Sequence, residues 1–71
     1  MRAYGSRVKI AGQKGSLGDV FNGQKGTVVG YEKDGSTVLF RVLLDTPVHV
    51  EGVGSVKDDL WAGSFLKTIR N

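Results

Sequence analysis

The alternation of apolar and polar residues is most regular between residues 26 and 45, where it predicts one long β-hairpin. The first strand is expected over residues 26–33 and the return strand over residues 36–45. Asp34-Gly35 lies between them and is a strong hairpin signal, because glycine adopts positive φ without steric cost. The other segments are shorter, and we expect them to close a small barrel around this hairpin.

The return strand carries apolar residues on both of its faces. One face has an uninterrupted apolar row, formed by Val38, Phe40, Val42 and Leu44. The opposite face has Leu39, Arg41 and Leu43. A free-standing barrel needs only one apolar face, so Leu39 and Leu43 are covered either by loops of the same chain or by another chain. The first alternative predicts a monomer, and the second predicts a homo-oligomer or a partner interface.

The segments before the hairpin are predicted to be a short strand and a long loop. Residues 7–10 alternate, with Val8 and Ile10 on one face and two basic residues on the other, as in a half-buried strand. Residues 11–22 contain three glycines and are predicted to form a long loop, because no helix of useful length fits between the glycines. Three apolar residues are expected to hold this loop against the core: Leu17, Val20 and Phe21.

The segments after the hairpin are predicted to complete a five-stranded barrel. Pro47 lacks an N–H group and is expected to end the return strand. A fourth strand starts at residues 48–50. Residues 57–61 are expected to form a tight turn, and a one-turn helical corner precedes a short last strand over residues 65–69. The predicted fold class is therefore all-β: one small five-stranded barrel with a long first loop, spanning residues 1–71 as a single domain.

The positive charge of the chain is concentrated in its first third. The 71 residues include ten Lys or Arg and seven Asp or Glu, for a net charge of +3. Residues 1–25 hold five of the basic residues and only Asp19 among the acidic ones. This third of the chain is expected to form a basic face that contacts nucleic-acid phosphates, through Arg7, Lys9, Lys14 and Lys25.

A short repeat adds to this hypothesis. Gly12-Gln-Lys-Gly-Ser16 recurs as Gly23-Gln-Lys-Gly-Thr27, and each copy places a lysine between glycines with a hydroxyl next. Free backbone amides, a lysine and a hydroxyl are groups that contact phosphate. The alternative is that the repeat is ordinary loop sequence. Tyr31, near the hairpin tip, is the aromatic residue expected to stack on an unpaired base.

Catalytic and metal-binding motifs are missing from the sequence. The chain has no cysteine and a single histidine, His49, which has no ligand partner at metal-binding spacing. Asp58 and Asp59 are expected to serve a turn, and a cation site with Asp45 or Glu51 is the alternative. No glycine-rich nucleotide-binding motif and no nucleophile-elbow motif occurs. We therefore predict a protein without enzymatic activity, metal or cofactor.

No segment predicts secretion or membrane insertion. The first residues lead to no apolar stretch of the kind found in signal peptides. The longest apolar run, residues 38–44, is interrupted by Arg41 and is too short to cross a bilayer. The prediction is a soluble, cytoplasmic protein that does not contact a membrane.

The order of these segments resembles the small SH3-like barrels. The local resemblance is to the KOW-type segment of ribosomal proteins and of the transcription factor NusG. It lies in Phe21-Asn-Gly-Gln-Lys-Gly26-Thr-Val-Val-Gly-Tyr31 and in the apolar strand that follows. This resemblance implies an SH3-like barrel that binds nucleic acid or the transcription or translation machinery. It also implies that Gly26 lets the chain turn into the strand.

Other small barrels resemble parts of the same chain. Gly5-Ser-Arg-Val-Lys-Ile10 and the C-terminal pair Leu66 and Ile69 are similar to a small accessory protein of photosystem I. Similar barrels occur in the variable subunit of ferredoxin–thioredoxin reductase, and both imply docking onto a larger protein. The tetrameric type II dihydrofolate reductase is similar in shape, but its Val-Gln-Ile-Tyr run is replaced by Val53-Gly-Ser-Val-Lys-Asp-Asp59.

Three functional hypotheses follow, in order of preference. The first is a non-enzymatic binding module that holds RNA or DNA, or the machinery around it, through the basic face. The second is a protein–protein adaptor or accessory subunit of a larger complex. It would dock through an apolar sheet face, with anchors at Leu39, Leu43 and Trp61. The third is an oligomeric barrel that binds a small molecule between its subunits.

Overall fold

The computed structural model of the chain describes residues 4–69. Its elements follow one another as β1 (Arg7–Ile10), α1 (Gly15–Phe21), β2 (Lys25–Asp34), β3 (Thr37–Val50), β4 (Gly54–Ala62), a 3₁₀ turn (Gly63–Phe65) and β5 (Leu66–Thr68). The all-β class, the five strands and the helical turn before the last strand are confirmed. Within residues 4–69, no helix is both long and apolar enough to cross a membrane.

All five strands belong to one antiparallel sheet, in the order β4-β3-β2-β1-β5. Every strand contributes side chains to the same apolar core, so the sheet curls around that core instead of lying flat. Helix α1 adds one aromatic ring to it. In the part of the chain that is described, the buried apolar residues are Val8, Ile10, Phe21, Val28, Phe40, Val42, Leu44, Val48, Trp61 and Leu66.

The long hairpin predicted from the sequence is formed by β2 and β3. Asp34 pairs with Thr37, so Gly35 and Ser36 are the two loop residues, one position later than expected. Gly35 has a φ of 63°, and Ser36 does not have a positive φ. A positive φ at the first loop residue alone is the pattern of a type II′ turn, whose twist suits a two-residue hairpin.

Strand β3 is longer than the sequence predicted, because it continues past Pro47 to Val50. The expectation that Pro47 ends the strand is wrong. Its pairing with β4 is interrupted at that point, however, between Leu43 and Val48. Residues 44–47 of β3 lie opposite a single residue of β4 in this gap, and extra residues of this kind bend a strand. A proline is tolerated there because the ladder does not require its N–H group.

The segment over residues 11–22 contains helix α1 and is not the featureless loop that was expected. The side-chain amide of Asn22 closes the segment: it donates to the carbonyl of Gln13 at 2.9 Å and accepts from its N–H at 3.1 Å. Phe21 is buried and Val20 packs against the core, as predicted, whereas Leu17 is 51% exposed. The glycines concealed this seven-residue helix from the sequence pattern, because glycine disfavours helices.

The tight turn predicted over residues 57–61 is wrong, because these residues lie within β4. Asp58 is in register with Leu43, and Trp61 is in register with Phe40. The helical turn comes after β4. Strand pairing therefore overrides the preference of the two adjacent aspartates for a turn.

Candidate functional site

Three lysines from three neighbouring strands lie side by side on the outer face of the sheet, the face opposite the core. Lys9 of β1 is paired directly with Lys25 of β2 on one side and with Lys67 of β5 on the other. Directly paired residues of antiparallel strands point to the same face, with Cβ atoms about 4.5–5.5 Å apart. We call Lys9, Lys25 and Lys67 the lysine ladder.

The lysine ladder faces solvent because its strands bury the alternate residues. Val8 and Ile10, on either side of Lys9, are fully buried, and Leu66 before Lys67 is buried as well. All three lysines are exposed. Sequence reasoning predicted Lys9 and Lys25 but missed Lys67, because the basic face was sought only in the first third of the chain. The succession of an apolar and a basic residue at the start of β5 was the available signal.

The lysine ladder lowers the stability of the fold, because like charges directly opposite each other repel. Replacing Lys9, its central member, by glutamate turns two repulsive pairs into two attractive ones. We expect Lys9→Glu to raise the melting temperature by about 2–5 °C at low salt, measured by circular dichroism. The gain should shrink in about 1 M NaCl, because salt screens exposed charges.

Lys33→Glu is the matched control for this prediction. It makes the same change of charge near the end of the hairpin, where Lys33 lies between Glu32 and Asp34. We expect its melting temperature to stay unchanged or to fall. An equal gain from both substitutions would show that net charge, and not the lysine ladder, sets the effect.

Arg7 lies on the outer face beside the lysine ladder, and its charge is already paired. Its two terminal nitrogens donate to the two carboxylate oxygens of Asp45 at 2.6 and 2.5 Å, and one of them also donates to Thr27 Oγ1 at 3.1 Å. The hydrogen bonds from Arg7 hold the pKa of Asp45 below its ordinary value, against the opposing effect of burial, and the charge of Lys25 adds to this lowering. Asp45 therefore remains ionised at neutral pH and offsets the predicted contribution of Arg7 to the basic face.

The two Gly-Gln-Lys-Gly copies have different structures and do not form one repeated phosphate surface. Lys14 directly precedes α1, whereas Lys25 begins β2. The expectation of free amides in the second copy is wrong, because the N–H groups of Gly23 and Gln24 donate to carbonyls of the fold at 2.7 and 3.0 Å. Lys14 is exposed and lies outside the lysine ladder.

The two aromatic residues singled out from the sequence have opposite environments. Tyr31 is 43% exposed, and its ring centroid lies 6.0 Å from that of Tyr4, which is 67% exposed. Tyr31 therefore presents an accessible ring. Trp61 is 4% exposed and packs edge-on against Phe21, with ring centroids 5.4 Å apart. The prediction of Trp61 as an anchor for a partner protein is wrong, because its ring belongs to the core.

A second region of the outer face, around Arg41, combines apolar and acidic residues. Arg41 bridges Glu32 of β2 at 2.8 Å and Asp58 of β4 at 3.0 Å. Leu39 and Leu43 flank Arg41 along β3. Leu39 is half-buried and Leu43 is 47% exposed, so the chain covers the first in part and leaves the second accessible.

The remaining candidates for chemistry are isolated from one another. His49 is exposed and lies opposite Ser55, and the carboxylate of Asp59 accepts a hydrogen bond from the N–H of Leu60 at 2.8 Å. Among residues 4–69, no group of three or more His, Asp or Glu side chains is placed to hold a metal ion. An open cleft of about 490 Å³ beside α1 holds two carboxylates and no cation, and its lining is Ser16, Leu17, Asp19, Val20, Val50 and Glu51.

Comparison with protein-family models, with curated proteins and with solved structures yields no match. The function is therefore inferred from the geometry of the site. The lysine ladder and Arg7 place four cations on neighbouring strands, and Asp45 is the carboxylate paired among them. This arrangement leaves an excess of positive charge that suits an anionic ligand.

Proposed function

We propose that this domain is a non-enzymatic binding module that holds the phosphate backbone of RNA or DNA on the lysine ladder. The observation that carries the proposal is the direct pairing of Lys9 with Lys25 and with Lys67 across three strands. Ammonium groups act as point charges toward phosphates, and the release of counterions makes such binding favourable at low salt. Contacts of this kind hold a nucleic acid without reading its sequence.

A purely structural explanation accounts for only one of the three lysines. Lysines on edge strands keep sheets from joining edge to edge, which suits Lys67 on β5. Strands β1 and β2 are interior strands, so this explanation does not extend to Lys9 and Lys25. Opposed like charges weaken the sheet, and a ligand that neutralises them explains why they are placed together.

The resemblance to small barrels supports the same proposal. A curled five-stranded sheet with a helical turn before its last strand is compatible with the SH3-like, KOW-type segments, which imply a nucleic-acid or machinery partner. One fold hosts many functions, so the lysine ladder carries more weight than the fold. A cytoplasmic setting, where RNA and DNA are accessible, belongs to this proposal.

Replacing both Lys9 and Lys25 by glutamine is expected to weaken nucleic-acid binding and its salt dependence. Each lost phosphate contact reduces the slope of log K against log [NaCl] by about 0.7–0.9, so the double substitution should reduce it by roughly 1.5–2. The measurement is fluorescence anisotropy with labelled RNA and DNA of mixed sequence, over a series of NaCl concentrations.

The matched control for this experiment is the double substitution Lys33→Gln with Lys57→Gln. It removes the same charge from two exposed lysines outside the lysine ladder. We expect the control to retain most of the affinity and nearly all of the slope. Equal losses in the two double variants, or no loss in either, would contradict the proposal.

The second candidate function is docking of a protein partner at the region around Arg41. The observation that favours it is the exposure of Leu43 beside a cation that is shared by Glu32 and Asp58. An apolar contact of this kind should persist at high salt, whereas binding to the lysine ladder should be lost there. Salt response therefore separates the two candidate functions.

A further inference from the structure

We propose that Arg7 forms a fourth phosphate subsite, which the carboxylate of Asp45 occupies in the free protein and a phosphodiester group takes over on binding. This inference rests on the proposed function, because the displacing ligand is the nucleic-acid backbone held by the lysine ladder. It adds a guanidinium contact, which binds two oxygens at once, to the point charges of the three lysines.

The pair of Arg7 and Asp45 has the geometry that carboxylates and phosphates share. Two terminal nitrogens of the guanidinium donate to two oxygens of one anionic group, at 2.6 and 2.5 Å. Arginine binds phosphate groups through the same two-point arrangement. The oxygens of Asp45 therefore lie where two oxygens of a phosphodiester group can be bound.

Arg7 has support that does not depend on Asp45. One of its terminal nitrogens also donates to Thr27 Oγ1 at 3.1 Å, and Thr27 is the residue paired with Arg7 across β1 and β2. The Arg7 side chain is only 22% exposed, so its neighbours restrict it. Arg7 precedes Lys9 by two residues on the same face, about 6.6 Å along the strand. Its guanidinium thus extends the lysine ladder along β1.

Asp45 is the partner that can withdraw. Its side chain is 45% exposed, and it lies in the bent part of β3 where the pairing with β4 is interrupted. An exposed ion pair contributes little net stability, so exchanging one anion for another costs little. A nucleic acid has the advantage in this exchange, because its neighbouring phosphates are attracted by Lys9 and Lys25 at the same time.

The direct test of this subsite is Asp45→Asn, which removes the competing charge and preserves the shape of the side chain. We expect a slope of log K against log [NaCl] that is steeper by about 0.7–0.9, and several-fold tighter binding at low salt. The measurement is fluorescence anisotropy with labelled single-stranded RNA and DNA, in parallel with the wild-type protein. Adding Arg7→Gln to Asp45→Asn should remove the gain, because the subsite is then lost.

Asp58→Asn is the matched control, because it removes one carboxylate from the other paired arginine of the same face, Arg41. Circular dichroism establishes that each variant is folded. An equal gain from Asp58→Asn, or a gain that survives Arg7→Gln, would overturn the inference, because net charge would then explain it.

The remaining outcomes separate this inference from the proposed function. A wild-type protein that binds, with Asp45→Asn equal to it in affinity and slope, overturns the subsite and leaves the proposed function in place. Failure of both proteins to bind overturns both proposals. Binding by Asp45→Asn alone supports the subsite, because the carboxylate then blocks the site in the free protein.

Discussion

Replacing Trp61 by alanine is expected to remove most of the stability of this fold. The Trp61 ring is buried and packs edge-on against Phe21, which joins β4 to helix α1 across the core. Truncating a core tryptophan costs about 3–5 kcal/mol, because apolar burial is lost and a cavity remains. A domain of 71 residues has a total stability of about 4–10 kcal/mol. Urea unfolding followed by circular dichroism should show a transition at very low urea, or an unfolded protein at the outset.

Two further substitutions make this result specific. Trp61→Phe keeps an aromatic ring in the core and should cost about 1–2 kcal/mol. Val53→Ala changes a side chain that is 73% exposed, in the turn between β3 and β4, and should cost no more than about 0.5 kcal/mol. If Trp61→Ala were as stable as Val53→Ala, the placement of Trp61 in the core would be wrong and its role as a docking anchor would be open again.

Replacing Gly26 by alanine is expected to have the second-largest effect. A Cβ atom on Gly26 would lie 2.5 Å from the carbonyl oxygen of Leu43 and 2.6 Å from Cγ1 of Val42. Both contacts are too short, and the carbonyl belongs to β3, so β2 and β3 must separate to admit the new atom. We expect a loss of about 3 kcal/mol, measured from the midpoint of urea unfolding.

Gly30→Ala is the matched control, because Gly30 lies on the same strand. The nearest atom to its added Cβ is Cβ of Arg41 at 3.9 Å, an ordinary contact, and Gly30 does not have a positive φ. Its substitution should leave stability unchanged or raise it by about 0.4–1 kcal/mol. Equal losses at the two positions would show that strand glycines matter here for a reason other than the close approach at Gly26.

The role of Gly26 shows how a correct residue can be predicted for a wrong reason. The resemblance to KOW-type segments implied that Gly26 lets the chain turn into the strand. Gly26 lies within β2 and does not have a positive φ, whereas Gly23 before the strand has a φ of 91°. The turn belongs to Gly23, and Gly26 is required by the close approach of β3.

Features that depend on local alternation could be predicted from the sequence. The β2–β3 hairpin and the inner row of β3 follow from a period of two residues and one glycine turn signal. Trp61 and the acidic pair before it were misassigned, because a local preference of aspartate for turns was weighed without the pairing of β4 to β3. Tertiary pairing decided that segment, and no pattern within it encodes its partner.

The candidate site shows the same limit more strongly. Lys9 and Lys25 could be selected from the local charge, but Lys67 joins them only because β5 pairs with β1 across most of the chain. The bond between Arg7 and Asp45 likewise joins residues that are 38 positions apart. Contacts of such long range are a property of the folded sheet, so the charge count of one segment could not reveal which cations are paired.

The most direct test of the proposed function is the salt dependence of nucleic-acid binding by the wild-type protein. The binding constant for a labelled single-stranded oligonucleotide is measured by fluorescence anisotropy over a series of NaCl concentrations. We expect a slope of log K against log [NaCl] of about −2 to −3, because three lysines each neutralise one phosphate. We also expect the slope to be the same for unrelated base sequences. Absence of binding at low salt, or binding that does not change with salt, would contradict a phosphate-binding role for the lysine ladder.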